Sequence, residues 1–385
     1  MFCDMTKSVF IKLLLLLSIA CGGTELDPDS SQDPFKNHLI NTFSGITIHK
    51  AIHPGSDLIY EASWLILPED HGKLIIYDRA DYTLKLLNRD GEILSTGGGQ
   101  GRGPGEFGDY ARFYPGLENR LYAVDAMNHR IHLYEVKDDS IELIRTQTIK
   151  FPATYYLSTL HITESGYFGV FSQFENYFSP DNQYLLYRLN ENFEMEEKLL
   201  KLPGEQRREH VFPEFTMYLP NTFAERTLWD ADGEWFYYLS THQSEITRFH
   251  LGSGDHETIS LISLPERERN AETIQFFKAM YRTVAEHADP EQYFSVLYEN
   301  QLMPIFLSFS VYDQIFLLQT FYPAGDEGIV LYADLDSENV FHFKAPHALT
   351  HISLRDNVIY GIDFDGSGGS HEVMELQLKQ HLKKN

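Results

Sequence analysis

Six glycines surround one cation and one carboxylate in GGGQGRGPGEF (97–107). Glycine adopts backbone conformations closed to other residues, so this stretch offers N–H groups to an anion, with Arg102 as a fixed positive charge. Pairing of Arg102 with Glu106 is the alternative, and would only stiffen the loop. GPGEFG (103–108) fits G-x-G-x-x-G, but no helical pattern follows it, so a dinucleotide is not expected. Arg207 and Arg208 stand in a second long polar stretch, 203–226, and together with Arg102 would grip a carboxylate or sulfate.

Metal chemistry is present only in fragments. DFDGSGG (363–369) opens like a calcium loop, with Asp363, Asp365 and Ser367 at alternate positions and Gly368 sixth. Met374 stands twelfth, where a bidentate Glu belongs, so a turn is expected. His129, His161 and His351 are the imidazoles considered for zinc. No G-x-S-x-G or H-E-x-x-H occurs, and no catalytic residue is assigned. No cofactor is expected; calcium or zinc are the metals these fragments would take.

These residues need a scaffold, and a repeat supplies it. KLIIYDRADYTLKLLNRDGEIL (73–94) and RLYAVDAMNHRIHLYEVKDDSIEL (120–143) each hold a strand, an Asp, a five-residue loop and another strand. Asp125 follows Asp78 by 47 residues, and Ile131 follows Leu84 by the same interval. WFYYLSTHQSEITRFHL (235–251) keeps the phase. A period in the forties with several short strands predicts propeller blades. Weaker copies over 155–202, 304–346 and 348–379 bring the count to six. The last holds three strands, so SGITIHKAI (44–52) is expected to complete it beside 371–379, closing the ring and removing free sheet edges. The expected fold is therefore all-β, a six-bladed β-propeller over 44–380.

LYAVDAMNHRIHLY (121–134) resembles the NHL repeat in Asp125, Asn128, Arg130 and Ile131. The Gly-rich loop is similar to the GPGEF segment between blades of bacterial six-bladed lipoprotein propellers. The resemblance implies an NHL-like propeller in which Asp, Asn and Arg bridge loop backbone and neighbouring blades rather than touch a ligand. Propeller enzymes such as amidating lyases hold a metal with several histidines near the channel. Here His161 and His351 fall on predicted inner strands and His129 in a loop between strands. Two inner histidines fall short of a tetrahedral site, so satisfied channel histidines are expected.

One face of such a ring carries short turns and the other carries long crossovers between blades. Function tends to sit on loops held by a rigid scaffold, so the crossover face is the expected binding face. Arg102, Glu106, His129, Arg207 and Arg208 belong to it. Within 265–303, Ile274, Phe277, Met280, Tyr281 and Val284 recur at helical spacing, and Asp289-Pro290 reads as an N-cap followed by proline. Two helices, about 271–287 and 290–302, are expected between blades four and five. They either cover apolar surface or form a lid presenting Tyr281, Tyr293 or Tyr298.

At the N-terminus, Lys7 and Lys12 flank the start of IKLLLLLSIA (11–20), a run too short to span a bilayer. Residues 1–20 read as a signal peptide, from Met1 or a start at Met5. Ala20-Cys21 resembles the lipobox of bacterial lipoproteins, with Ser18 where Leu is usual, so Cys21 is expected to be acylated and 21–43 to be a flexible tether. The other cysteine, Cys3, lies within the signal, which leaves no intrachain disulfide in the mature chain. The net charge of −25 lacks the basic footprint of nucleic-acid binding, while 27 Phe and 23 Tyr supply a core.

The expected protein is a monomeric lipoprotein of the bacterial cell envelope, anchored in the outer membrane through its N-terminal lipid. It would recognise a peptide, glycan or partner protein at the crossover face and bind no nucleic acid. The alternative is a metal-dependent propeller enzyme, a lyase or lactonase-like hydrolase, favoured if three or more His, Asp or Glu converge at the channel mouth. A flat crossover face would instead favour a purely structural lipoprotein.

Overall fold

The computed structural model describes residues 38–39, 41–45, 48–52, 59–68, 72–126, 128–152, 154–174, 181–211, 216–221, 223–260, 262–268, 302–320, 327–346, 349–355, 358–364 and 371–378. Among them, six sheets, each with four antiparallel strands at its centre and two of them with a fifth, follow one another as the blades of a β-propeller. Blades one to five run over 62–98, 111–148, 155–203, 227–259 and 306–346. Blade six combines 349–378 with a strand from the N-terminal region. The inner strands, which line the channel, are Ala62–Ile66, Ala111–Pro115, Tyr155–Thr163, Thr227–Asp232, Phe306–Tyr312 and Leu349–Arg355.

Each blade is packed on both faces, and the sequence shows why. Second strands such as Lys73–Asp78 and Arg120–Asp125 are near-continuous apolar runs, buried along almost their whole length. Outer strands meet water, and Ile141–Thr148 is largely exposed. A separate apolar core fills each of the six seams. Ile75 and Leu84 of blade one pack with Phe113 and Leu121 of blade two. Ile362 and Val373 of blade six pack with Ile59, Leu65 and Ile76 at the start of blade one, which closes the ring. Each fully buried Leu, Ile or Phe contributes about 1.5–3 kcal/mol relative to exposure, so every seam is strongly held.

Closure uses the expected N-terminal strand. Ile48–Ile52 pairs antiparallel with His371–Leu378, in register from Ile48↔Leu378 to Ile52↔Met374. The preceding residues depart from expectation. Ser44 and Gly45 pair parallel with Phe341 and His342 of blade five, and His342 Nδ1 bonds the Phe43 carbonyl at 2.9 Å. Leu39 is 0% exposed against Tyr237, Phe309 and Phe316. The stretch expected as free tether is therefore docked on the blade four–five seam from His38 onward, because Leu39 and Phe43 find apolar partners there.

Two long crossovers also differ from their sequence reading. The outer strand of blade three, Met195–Val211, runs past its blade and folds back on Thr216–Pro220, from Arg207↔Pro220 to Val211↔Thr216. Within the 203–226 stretch, residues 207–211 and 216–220 are thus regular paired strands. Before blade five, Arg267–Glu268 pairs with Leu302–Met303, so Leu302, expected at a helix end, is in a strand. The expected helices over 271–287 and 290–301, with Tyr281, Tyr293 and Tyr298, lie outside the described residues, as do Cys21 and Asp365.

Candidate functional site

The repeat carboxylates are buried tie points that hold the chain entering each blade onto that blade. Asp78 accepts the N–H groups of Tyr60 (2.9 Å) and Glu61 (2.8 Å) just before the inner strand of its own blade, and the ammonium of buried Lys85 at 2.6 Å. Burial alone would raise its pKa, but Lys85 and the backbone donors hold it below the usual value. Asp125 accepts the N–H of Gly108 at 3.1 Å and the side-chain amide of Asn128 at 2.6 Å.

The Gly-rich loop is clasped in the same way. Asn128 donates to the Gly101 carbonyl at 3.3 Å, and Arg130 donates to the carbonyls of Arg102 and Gly103. Tyr134 donates to the Gly105 carbonyl at 3.0 Å, and His132 Nδ1 accepts the Gly105 N–H at 3.2 Å. Phe107, 0% exposed, plugs the blade one–two core beneath. At Gly98, with φ of 101°, a Cβ would lie 2.5 Å from the Phe107 ring, so no larger residue fits.

The candidate ligand residues are not gathered into one grip. Glu106 folds back to accept the Gly103 N–H at 2.6 Å, and no Arg102–Glu106 ion pair exists among the described residues. Arg102 is exposed, and His129 sits exposed in a turn with φ of 52°. Arg207 belongs to the blade-three hairpin, where Glu205 lies 3.6 Å from its Nε. Arg208 pairs through its backbone with Leu219 in that hairpin. Asp363 is a strand residue opposite Leu349 and Glu372. Among the described residues, no three His, Cys, Asp or Glu side chains gather closely enough to hold a metal ion.

What does converge is a set of inner-strand residues at the crossover mouth of the channel. Four inner strands break register in this half, at Ala62/Trp64, Leu157/Thr159, Phe306/Ser308 and Thr350/Ser353. Such bulges re-aim side chains and leave backbone groups outside the ladder. At the blade-three bulge, the Ser158 carbonyl accepts both Arg112 Nη1 (2.6 Å) and the Tyr114 hydroxyl (3.0 Å). Arg112 also lies over the Tyr156 ring, 5.2 Å from its centroid. At the blade-six bulge, His351 has φ of 48° and its ring lies 4.4 Å from that of Trp64. Burial, and then the Arg112 charge, push His351 down to about 4, so it is neutral at physiological pH. Tyr60, Tyr110 and Tyr156, 72%, 37% and 38% exposed, stand at the crossover ends of the first three inner strands.

The turn end of the channel is acidic and differently built. Asp230 accepts the N–H of Val311 from blade five and of Ala231, each at 2.8 Å, while Gln314 N–H reaches Asp232 at 3.4 Å. Burial raises Asp230 to about 7 against its backbone donors, and raises Asp232 as well. His161 Nε2 bonds the Gly233 carbonyl at 2.9 Å, and burial lowers its pKa. His161 and His351 are both on inner strands, as expected, but at opposite ends. Sequence reasoning passed over Trp64, Arg112 and Asp230; the usable signal was a cation or a large aromatic at the start of an inner strand.

Residues 65–225 match a family model described as 6-bladed beta-propeller, DUF5128. That span covers blades one to three and the crossover beyond them. No curated protein matches the chain in sequence. Among solved structures the chain is similar to a Bacteroides fragilis protein named for its inferred export, at 12% identity and a TM-score of 0.53, covering 88% of this chain and 99% of that one. It is also similar to a member of the duf4221 family from Bacteroides vulgatus, at 10% identity and a TM-score of 0.50, covering 87% and 98%. At these identities the likeness is one of fold.

Proposed function

We propose that this chain is a ligand-binding propeller of the bacterial cell envelope, tethered through an acylated Cys21 and taking its ligand at the crossover mouth of the channel. The binding reading rests on the convergence of Trp64, Arg112, Tyr156 and His351, contributed by blades one, two, three and six. A non-glycine residue in the left-handed region, such as His351, costs on the order of 1–3 kcal/mol and persists only where its surroundings enforce it. Exposed Tyr60 and Tyr110 extend the aromatic surface outward, and aromatic and arginine side chains are the usual anchors of recognition. The tether rests on the apolar run 11–20 and the Ala20-Cys21 step. Firm attachment needs more than one acyl chain, each buried methylene contributing about 0.8 kcal/mol.

The test is a screen of the full chain against arrayed peptides and glycans, repeated with Tyr60→Ser, Tyr110→Ser and Tyr156→Ser combined. Affinity for any hit should fall about tenfold or more, a loss of about 1.4 kcal/mol or greater, with little change in melting temperature. Unchanged binding would move the site elsewhere. Cys21→Ser should release the protein from membranes, and retention after a salt wash would remove the anchor.

A further inference from the structure

Lys85 and His132 hold the same place in successive repeats, 47 residues apart, on the third strands of blades one and two. Lys85 answers the repeat carboxylate Asp78 directly, at 2.6 Å. His132 is turned to another task. It is 0% exposed, and its Nδ1 accepts the Gly105 N–H of the Gly-rich crossover at 3.2 Å. A backbone N–H can only donate, so Nδ1 carries a lone pair and the proton of the neutral ring sits on Nε2. Thr146 lies opposite His132 on the outer strand, its hydroxyl 2.9 Å from the same Nδ1. A hydroxyl rotates to donate or to accept, whereas a peptide N–H has one role. While the ring is neutral, Nδ1 therefore accepts from Gly105 and Thr146 together. Once Nδ1 is protonated, Thr146 turns to accept its proton, and the Gly105 N–H is left facing another donor.

We propose that His132 is an acid switch on the Gly-rich crossover, clasping Gly105 when neutral and expelling it when protonated. Phe107, whose ring stands edge-on to His132 at 5.6 Å and plugs the blade one–two core, is the part of the crossover that expulsion loosens. The groups around the ring set where it switches. Burial opposes the imidazolium most, Asp125 on the second strand favours it, Arg130 on the ring's own strand opposes it, and the Glu106 backbone favours it. The Glu106 carboxylate is turned to the Gly103 N–H, and Arg145 on the outer strand is exposed. Burial keeps the neighbouring Tyr77 and Tyr134 un-ionised. The net direction is down from the ordinary histidine value of 6.5, so the folded ring takes its proton only below the range where the unfolded one does. The clasp is thus present in full at neutral pH and is lost as pH falls.

Deuterium exchange of the full chain, read by mass spectrometry on peptides covering 97–107 and corrected for the intrinsic effect of pH, tests the switch. From about pH 7 to about pH 4 the wild-type crossover should lose protection about tenfold or more, the scale of one buried hydrogen bond. His132→Asn is the decisive variant, because its Oδ1 can accept the Gly105 N–H in place of Nδ1 and it does not titrate. It should hold the crossover equally at both pH values, while every other group in the chain titrates as before. Glycine-selective 15N labelling gives a second reading on the wild-type chain, whether or not that variant folds. The Gly105 amide proton should move upfield in acid, in step with the protonation of the His132 ring. Unchanged protection in acid, or an equal loss in His132→Asn, overturns the switch. So does a Gly105 amide that titrates apart from the His132 ring.

Discussion

At the turn end of the channel, Asp230 and Asp232 have their oxygens met by backbone N–H groups, several of them from blade five. At the crossover end, Arg112 meets a neutral carbonyl and an aromatic face. The acidic pair is answered from within, and in answering it blade five is bound to blade four. The cation is answered only in part, among bulged strands and a histidine in a strained conformation. Scaffold and candidate site thus differ less in residue type than in whether the fold itself completes the electrostatics.

Opening the ring would erase the difference between the two ends, and gives the largest expected effect. Deleting residues 37–52 removes the outer strand of blade six and the Leu39 plug of the blade four–five core. The product should aggregate or melt lower by on the order of 10 °C, read by circular dichroism and size exclusion. A deletion variant melting like the full chain would refute the closure.

Titration separates the ends by sign. Folded Asp230 keeps its proton up to about pH 7, whereas in the unfolded chain it loses it near 3.8. Between those values the folded state holds more protons, so this group's contribution is full at low pH and is lost as pH rises toward 7, by on the order of 3 kcal/mol. Asp230→Asn should flatten that fall in urea-unfolding series across pH 4–7. His351 runs the other way, because its folded form loses its proton at about 4 and its unfolded form near 6.5. Its contribution is present above pH 6.5 and is lost as pH falls toward 4, by on the order of 2–3 kcal/mol. His351→Asn should abolish that acid-side loss. Equal slopes in variant and wild type would mean that the channel is wetter at that end than its geometry indicates.

The smallest effects test which arginine is structural. Arg130→Ala removes the clasp on the Arg102 and Gly103 carbonyls and should cost about 1–2 kcal/mol. Arg102→Ala removes an exposed side chain and should stay within about 0.5 kcal/mol of wild type. The reverse order in melting experiments would make Arg102, not its backbone, the element that holds the loop.

Much of this architecture was readable before any coordinates. The 47-residue interval between Asp78 and Asp125 marked blades, and the three-strand sixth repeat called for a strand near residue 48. The roles of Asp125, Asn128 and Arg130 as loop clasps also followed from the repeat. The pairing of 207–211 with 216–220 was not readable, since EQRREHV is polar and shows no two-residue apolar alternation. It is held by cross-strand backbone bonds at the edge of blade three. Three of the mouth residues escaped for a different reason: Trp64, Arg112 and Tyr156 look ordinary within their own strands, whereas His351 was legible as an inner-strand histidine.

By itself, then, the sequence determined local matters: which runs are strands, which turns need glycine, and how often the unit repeats. These follow from side-chain burial and backbone sterics within some fifty residues, which a single blade nearly exhausts. Tertiary structure alone decided that Leu39 plugs a seam, that Asp230 reaches the backbone of blade five, and that the rings of Trp64 and His351 meet from blades one and six. Ring closure brings residues more than two hundred positions apart to one channel, and only there does a charge acquire, or lack, a partner.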